Sequence, residues 1–299
     1  MKVSRLAYGC WRIAGQGTPR DLQAGRDAVR AAFDAGYTLF DHANIYGGSQ
    51  CESLFGAILA DSPKMRDRIL ITTKCGIRFV GDPNPSSPYR YDFSAEHIEQ
   101  SCEASLKRLG IETIDLYQLH RPDYLMPPEE VAAAFDRLRK AGKVRFFGVS
   151  NFRPSQMVLL QKVCDMPLVV NQVEISLAQQ ACLEDGTLDH CMTEGVTPMA
   201  WSPLGGGKLA DGARDLLPSQ EGYDTADCVA LLDRFSRARG STRMVLALSW
   251  LLKHPAGIVP IVGSTRPDRI REATRADAAL LSREDWYGLL VAGRGEALP

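Results

Sequence analysis

The 299-residue sequence predicts a single (β/α)8 barrel occupying residues 1–299, with one additional helix and long loops. Three observations predict it. Eight short runs rich in β-branched and aromatic residues alternate with helical patterns along the whole chain, with no low-complexity linker between them. Several runs are nearly continuous in apolar residues, as expected for a parallel sheet covered by helices. Polar residues gather at the ends of these runs, where a barrel builds its chemistry. Eight strand–helix units over about 250 residues or more is the arithmetic of this fold, whereas a doubly wound sheet usually has fewer strands.

The elements follow in order. "RLAYG" (5–9) is the first strand. The helix after it opens with Thr18 as cap, Pro19 at the first turn and Asp21 completing a capping box, and Gly36 ends it. "TLFD" (38–41) leads to a helix before which Ser49 and Glu52 carry the same box signature. "ILITTK" (69–74), "IDLYQLH" (114–120), "VRFFGVS" (144–150) and "LVVNQ" (168–172) follow, separated by helical patterns at 95–109, 128–141 and 154–163. A helix at 188–194 precedes "TPMAWS" (197–202), and a long loop then runs to Asp224. The extra helix is expected at 226–239, then a helix at 242–253, "GIVPIVGS" (257–264) and a last helix at 267–279.

Composition narrows the function. A formal charge of −1 gives no support to nucleic-acid or anionic-membrane binding, and no apolar stretch approaches the roughly 20 residues of a spanning helix. The N-terminus has no signal-peptide core, and eight scattered cysteines without a CxxC pair read as reduced thiols, so a cytoplasmic location is expected. Five histidines without HxxxH or HExxH spacing make a metal site unexpected. Substrate and oligomeric state stay open, a monomer being favoured.

"GQGTPR" (15–20) imitates a dinucleotide fingerprint, with Asp41 at a suitable distance downstream. It fails at the third glycine, where Arg20 would crowd the helix–strand contact. The strand ends are more informative. They carry Asp41, Lys74, His120, Ser150 with Asn151, Asn171 with Gln172, Ser202 and Ser264, while Tyr46 stands in the glycine-closed turn "FDHANIYGG". Singly, each has an ordinary structural reading as a turn cap, a solvated lysine, a buried histidine or a packed ring. Placed together at one end of a barrel, they describe one shared pocket.

Asp41, Tyr46, Lys74 and His120 resemble the catalytic tetrad of the aldo-keto reductases. The resemblance covers nearly the whole chain through "DHANIYGG", "ITTK", "LYQLHRPD", "GKVRFFGVSN", "VNQVEIS", "MAWSPLGGG" and "PIVGSTRPDRI", in the family's order. The "DHAxIYGG" and "HRPD" forms are most similar to bacterial NADP-linked members of broad specificity. The chemistry of these residue types agrees. Carbonyl reduction needs hydride at carbon and a proton at oxygen, and a phenol holds its proton at neutral pH. An ammonium beside Tyr46 favours phenolate, and the Asp41 carboxylate keeps Lys74 charged. The phenol is therefore expected to titrate below its ordinary value, with His120 orienting the carbonyl as a neutral donor.

The resemblance also implies NADP(H) as cofactor. Ser150, Asn151 and Gln172 match the positions that bond the nicotinamide amide, and Trp201 matches the aromatic that stacks on it. Ser202, Leu204, Gly205 and Gly206 form a loop toward the pyrophosphate. Gly263, Ser264, Thr265 and Arg269 match a 2′-phosphate site and Glu272 an adenine contact. Many family members carry lysine where Gly263 stands and asparagine where Ala273 stands. Gly9 and Cys10 fall near the nicotinamide, and Trp11, with Tyr46 and His120, near the substrate, a small aldehyde or ketone. The outer pocket wall is expected from the loops at 78–92 and 122–128 and from the C-terminal tail. Two alternatives remain at this point: an NADP(H)-binding regulatory subunit of slow turnover, and a lyase or aldolase using Lys74 as a Schiff base.

Overall fold

Parallel pairing with helical crossovers closes the sheet on itself. In the computed structural model, which describes residues 3–213 and 216–299, eight strands form a closed barrel. They are β1 (Ala7–Gly9), β2 (Leu39–Asp41) and β3 (Leu70–Cys75), then, after a small hairpin of β4 (Ile77–Arg78) and β5 (Arg90–Tyr91), β6 (Ile114–Leu119), β7 (Val144–Ser150), β8 (Leu168–Glu174), β9 (Thr197–Trp201) and β10 (Val259–Val262). β10 pairs with β1 to close the ring. The barrel is filled by Ala7, Leu39, Leu116, Val170, Met199, Val259 and Ile261, one or two from each of several strands, so the chemistry is confined to the rim.

Helices cover the outside: α1 (Pro19–Asp34), α2 (Gln50–Asp61), the single-turn α3 (Pro63–Arg66), α4 (Ala95–Leu109), α5 (Pro128–Lys140), α6 (Pro154–Gln161) and α7 (Thr187–Glu194). After β9 come α8 (Pro218–Glu221), α9 (Ala226–Arg239), the extra helix, and α10 (Arg243–Leu252). α11 (Pro267–Ala273) and α12 (Arg283–Arg294) end the chain. The Thr18 capping box forms, with the Asp21 amide donating to the Thr18 hydroxyl at 3.2 Å.

Several expectations change. Ser49 does not cap α2: its backbone is left-handed, with φ of 73°, and its hydroxyl donates to the Asn44 carbonyl. Glu52 turns inward and is fully buried, accepting from the Thr73 hydroxyl at 2.6 Å and from Arg108 Nε at 2.7 Å. A buried carboxylate gains more from a charge-assisted partner than from an exposed amide. The helix expected over 267–279 ends at Ala273 and tightens into a 3-10 turn at Thr274–Asp277. α12 was not expected, although Ser282 and Asp285 form a capping box at its start. The two-residue strands β4 and β5 lie within what the sequence reads as plain loop.

Candidate active site

β2, β3 and β6 are neighbours, with Asp41 opposite Thr72 and Lys74 opposite Gln118. This register brings Asp41 and Lys74 to one rim. Lys74 is fully buried, and its Nζ lies 2.8 Å from both Asp41 oxygens, 2.8 Å from the His42 carbonyl and 3.3 Å from the Tyr46 hydroxyl. Gln172 Nε2 donates to Asp41 Oδ1 at 2.9 Å. Tyr46 meets the His120 ring edge to face at 5.9 Å and the Trp11 ring at 6.3 Å. All four residues of the expected tetrad therefore converge.

Burial alone would drive the proton from Lys74, but the Asp41 carboxylate, aided by Tyr46, outweighs it and holds the ammonium above its ordinary range. The same balance comes out differently for Tyr46. Burial raises the phenol, Lys74 pulls it back, and the net direction is up. This corrects the expectation of a lowered value: Lys74 offsets the desolvation of the ring without reversing it. Burial, Lys74 and Arg121 together push His120 well below the ordinary imidazole value, so its ring is neutral. His42, packed against Phe55, is pushed down to about 3, by burial and then by Lys74.

The next three strands carry a linked polar set. Asn151 is left-handed, with φ of 62°. Its Nδ2 donates to the His120 carbonyl at 3.2 Å and to Ser150 Oγ at 2.8 Å, while its Oδ1 accepts from Trp201 Nε1 at 3.0 Å. Ser150 Oγ donates in turn to the Gln172 carbonyl at 2.8 Å. The Trp201 indole is thus oriented by the residue expected to bind the nicotinamide amide.

A cavity of about 1000 Å³ runs from these groups to α11. It is lined by Gly9, Trp11, Asp41, Tyr46, His120, Ser150, Asn151, Gln172, Trp201, Ser202, Leu204, Gly206, Gly263, Ser264, Thr265, Arg269 and Glu272. Lys74 lies behind the wall. Two of the expected cofactor contacts do not line the cavity. Cys10 is fully buried among the core residues beneath β1, and Gly205 faces Ala178 and Leu209 rather than the cavity.

Arg12, Ile45, Arg121 and Asp211 also line it and were not singled out from the sequence; Arg12 and Arg121 directly follow Trp11 and His120, which was the available signal. Arg266, paired with Asp268, also lines the cavity. The loop at 78–92 supplies Phe79 and Tyr89, while 122–128 and the C-terminal tail supply no lining side chain.

The far half suits a nucleotide. Arg269, paired with Asp211, stands near the hydroxyls of Ser264 and Thr265. A Cβ added at Gly263 would meet nothing within 4 Å but Arg12 Nη1, at 3.5 Å, so the space beside this backbone is open. Among the described residues no cluster of His, Cys, Asp or Glu is placed to hold a metal, and no helix is long and apolar enough to cross a membrane.

The aldo/keto reductase family profile matches residues 5–289. The chain belongs to this family. It is 44% identical over 304 residues to a 6-dehydroglucose reductase of Novosphingobium aromaticivorans, an alignment covering 99% of this chain and 94% of that protein. A 6-dehydroglucose reductase of Agrobacterium fabrum is 39% identical, covering 99% and 96% of the two chains. Among solved aldo-keto reductase barrels, glycerol dehydrogenase of Gluconobacter oxydans superposes with a TM-score of 0.85 at 27% identity, over 100% of this chain and 95% of that one. An aldo/keto reductase of Klebsiella pneumoniae in complex with NADP and acetate gives 0.76 at 27% identity, over 96% and 90%. The family and its reductase members make the chain an oxidoreductase of carbonyl compounds.

Proposed function

We propose that the chain is an NADPH-dependent reductase converting aldehydes or ketones to alcohols, with Tyr46 as proton donor and Lys74, Asp41 and His120 around it. The observation that carries this reading is Lys74 Nζ bridging the Asp41 carboxylate and the Tyr46 hydroxyl at the wall of the cavity. The bound dinucleotide would supply hydride to the carbonyl carbon. Ser150, Asn151 and Gln172 would hold its amide, Trp201 its ring, and Ser264, Thr265 and Arg269 its 2′-phosphate.

On that reading the substrate oxygen lies between the Tyr46 hydroxyl and the neutral His120 ring. Tyr46 passes its proton to the oxygen as negative charge develops there. The resulting phenolate is stabilised by the Lys74 ammonium, which Asp41 keeps charged without transferring a proton. A raised phenol keeps the acid loaded at neutral pH, and the ammonium acts where it matters most, on the charge formed during transfer. The same charge state argues against a Schiff base, since a protonated amine is a poor nucleophile. The names of the two 6-dehydroglucose reductases support a sugar aldehyde as a substrate.

Purified protein is expected to consume NADPH with simple aldehydes. Tyr46→Phe should lower kcat/KM by roughly 10²–10⁴, while quenching of tryptophan fluorescence by NADPH persists. Tight NADPH binding with no turnover across an aldehyde panel would instead favour the regulatory-subunit reading.

A further inference from the structure

Arg121 follows the last residue of the tetrad in sequence and lies on the cavity wall beside Tyr46 and His120. Its guanidinium carbon sits 5.3 Å from the centroid of the Trp201 ring. Four of the other charged pairs at the cavity are closed, Asp41 with Lys74, Asp211 with Arg269, Asp233 with Arg243 and Asp268 with Arg266, and Arg12 and Glu272 also line it. Arg121 has neither an ion pair nor a hydrogen bond among the described residues. The nearby acid Glu174 is engaged by Gln220 and does not line the cavity. The wall also includes Trp11, with the Arg12 guanidinium 4.4 Å from its ring centroid, and Ile45, Ile77, Phe79 and Tyr89.

A half-buried guanidinium with five donors, held over Trp201 without a protein acceptor among the described residues, is free to take an acceptor brought by a ligand in place of water. Arg121 directly follows His120, and its charge is close enough to favour the Tyr46 phenolate and to disfavour a charged His120. An alkyl aldehyde filling this space would leave the guanidinium without an acceptor. A carboxylate or a pair of adjacent hydroxyls a few bonds from the carbonyl would accept its fork in a bidentate manner.

We propose that Arg121 is a specificity-determining residue that selects aldehydes bearing an oxygen-rich tail, accepting through carboxylate or vicinal hydroxyl oxygens, over alkyl aldehydes of equal length. The proposal rests on the carbonyl-reductase reading above and has its own point of failure.

The test compares glyceraldehyde, succinic semialdehyde and butyraldehyde as substrates of the whole protein with NADPH. Wild type should favour at least one of the two oxygenated aldehydes over butyraldehyde by roughly 10- to 100-fold in kcat/KM, the range expected from hydrogen bonds to a charged group. The favoured one tells hydroxyl from carboxylate recognition. Arg121→Met should erase that preference chiefly through KM, and Arg121→Lys, which keeps charge without the fork, should restore part of it for succinic semialdehyde and little for glyceraldehyde. Wild type reducing butyraldehyde as well as both others would overturn the proposal, as would Arg121→Met slowing all three equally. The wild-type comparison stands even if the methionine variant fails to fold. Absence of turnover with every aldehyde would instead remove the underlying reductase reading.

Discussion

At Tyr46 two opposing forces act on a single proton. Removal from water favours the neutral phenol, and the ammonium 3.3 Å away favours phenolate. Burial wins in the resting protein, so the acid stays loaded well into the alkaline range. His120, held neutral by burial and two cations, contributes no ionisation near its ordinary value. The rate of reduction should therefore run flat through pH 6–8 and fall only as pH climbs through the raised Tyr46 value, above the ordinary phenol value of about 10. A pH–rate profile checks this. An inflection near 6.5 that disappears in His120→Asn would show that His120 titrates in the working range. The convergence of the four residues was legible because each stands at or just after a strand end. The direction of the Tyr46 shift was not, since depth of burial depends on Trp11 and His120 packing across the ring, which no single stretch of sequence displays.

Between elements, the decisive contact joins the end of β2 to the end of β3. Asp41 and Lys74 are both buried, with side chains 4% and 0% exposed, and each satisfies the other. Removing one member leaves an uncompensated buried charge, which costs about 3–5 kcal/mol. Lys74→Met should therefore lower the free energy of unfolding by that order in urea titrations. Asp41→Asn combined with Lys74→Met should recover most of it, because the carboxylate that needed the ammonium is gone. A double variant no more stable than Lys74→Met would show that the loss came from packing. The pair also has a pH signature. The folded pKa of Lys74 is raised above the unfolded value, so its stabilisation is complete below about 10.4 and disappears as pH rises through the folded value. The strands carrying this pair were readable because long apolar runs leave little freedom of assignment. α12 was harder to see, despite its Ser282 cap, because the half-buried Trp286 and the exposed Tyr287 break the apolar stripe; Trp286 instead stacks at 5.0 Å on Trp250 of α10. β4 and β5, at two residues each, carry too few side chains for any alternation to show.

Over the whole molecule, one cavity joins two regions of different character. The end that holds Asp41 and Tyr46 is built on strands whose register is fixed by the barrel. Its other end is built by the loop after β9 and the entry to α11, where Asp211 pairs with Arg269 across the gap. A ligand that spans both ends ties the loop to the barrel and must stabilise the folded chain by mass action, about 2.7 kcal/mol at a hundredfold excess over Kd. NADPH should therefore raise the thermal midpoint more than NADH at equal concentration, the difference reporting the 2′-phosphate. Arg269→Ala should shrink the NADPH shift toward that of NADH and leave the NADH shift nearly as it was, since on the proposed reading the guanidinium meets the phosphate that NADH lacks. Equal midpoints with the two nucleotides in wild type would separate the two ends of the cavity in function: the tetrad would keep its role, while Arg269 would belong to Asp211 and the folded loop rather than to cofactor choice.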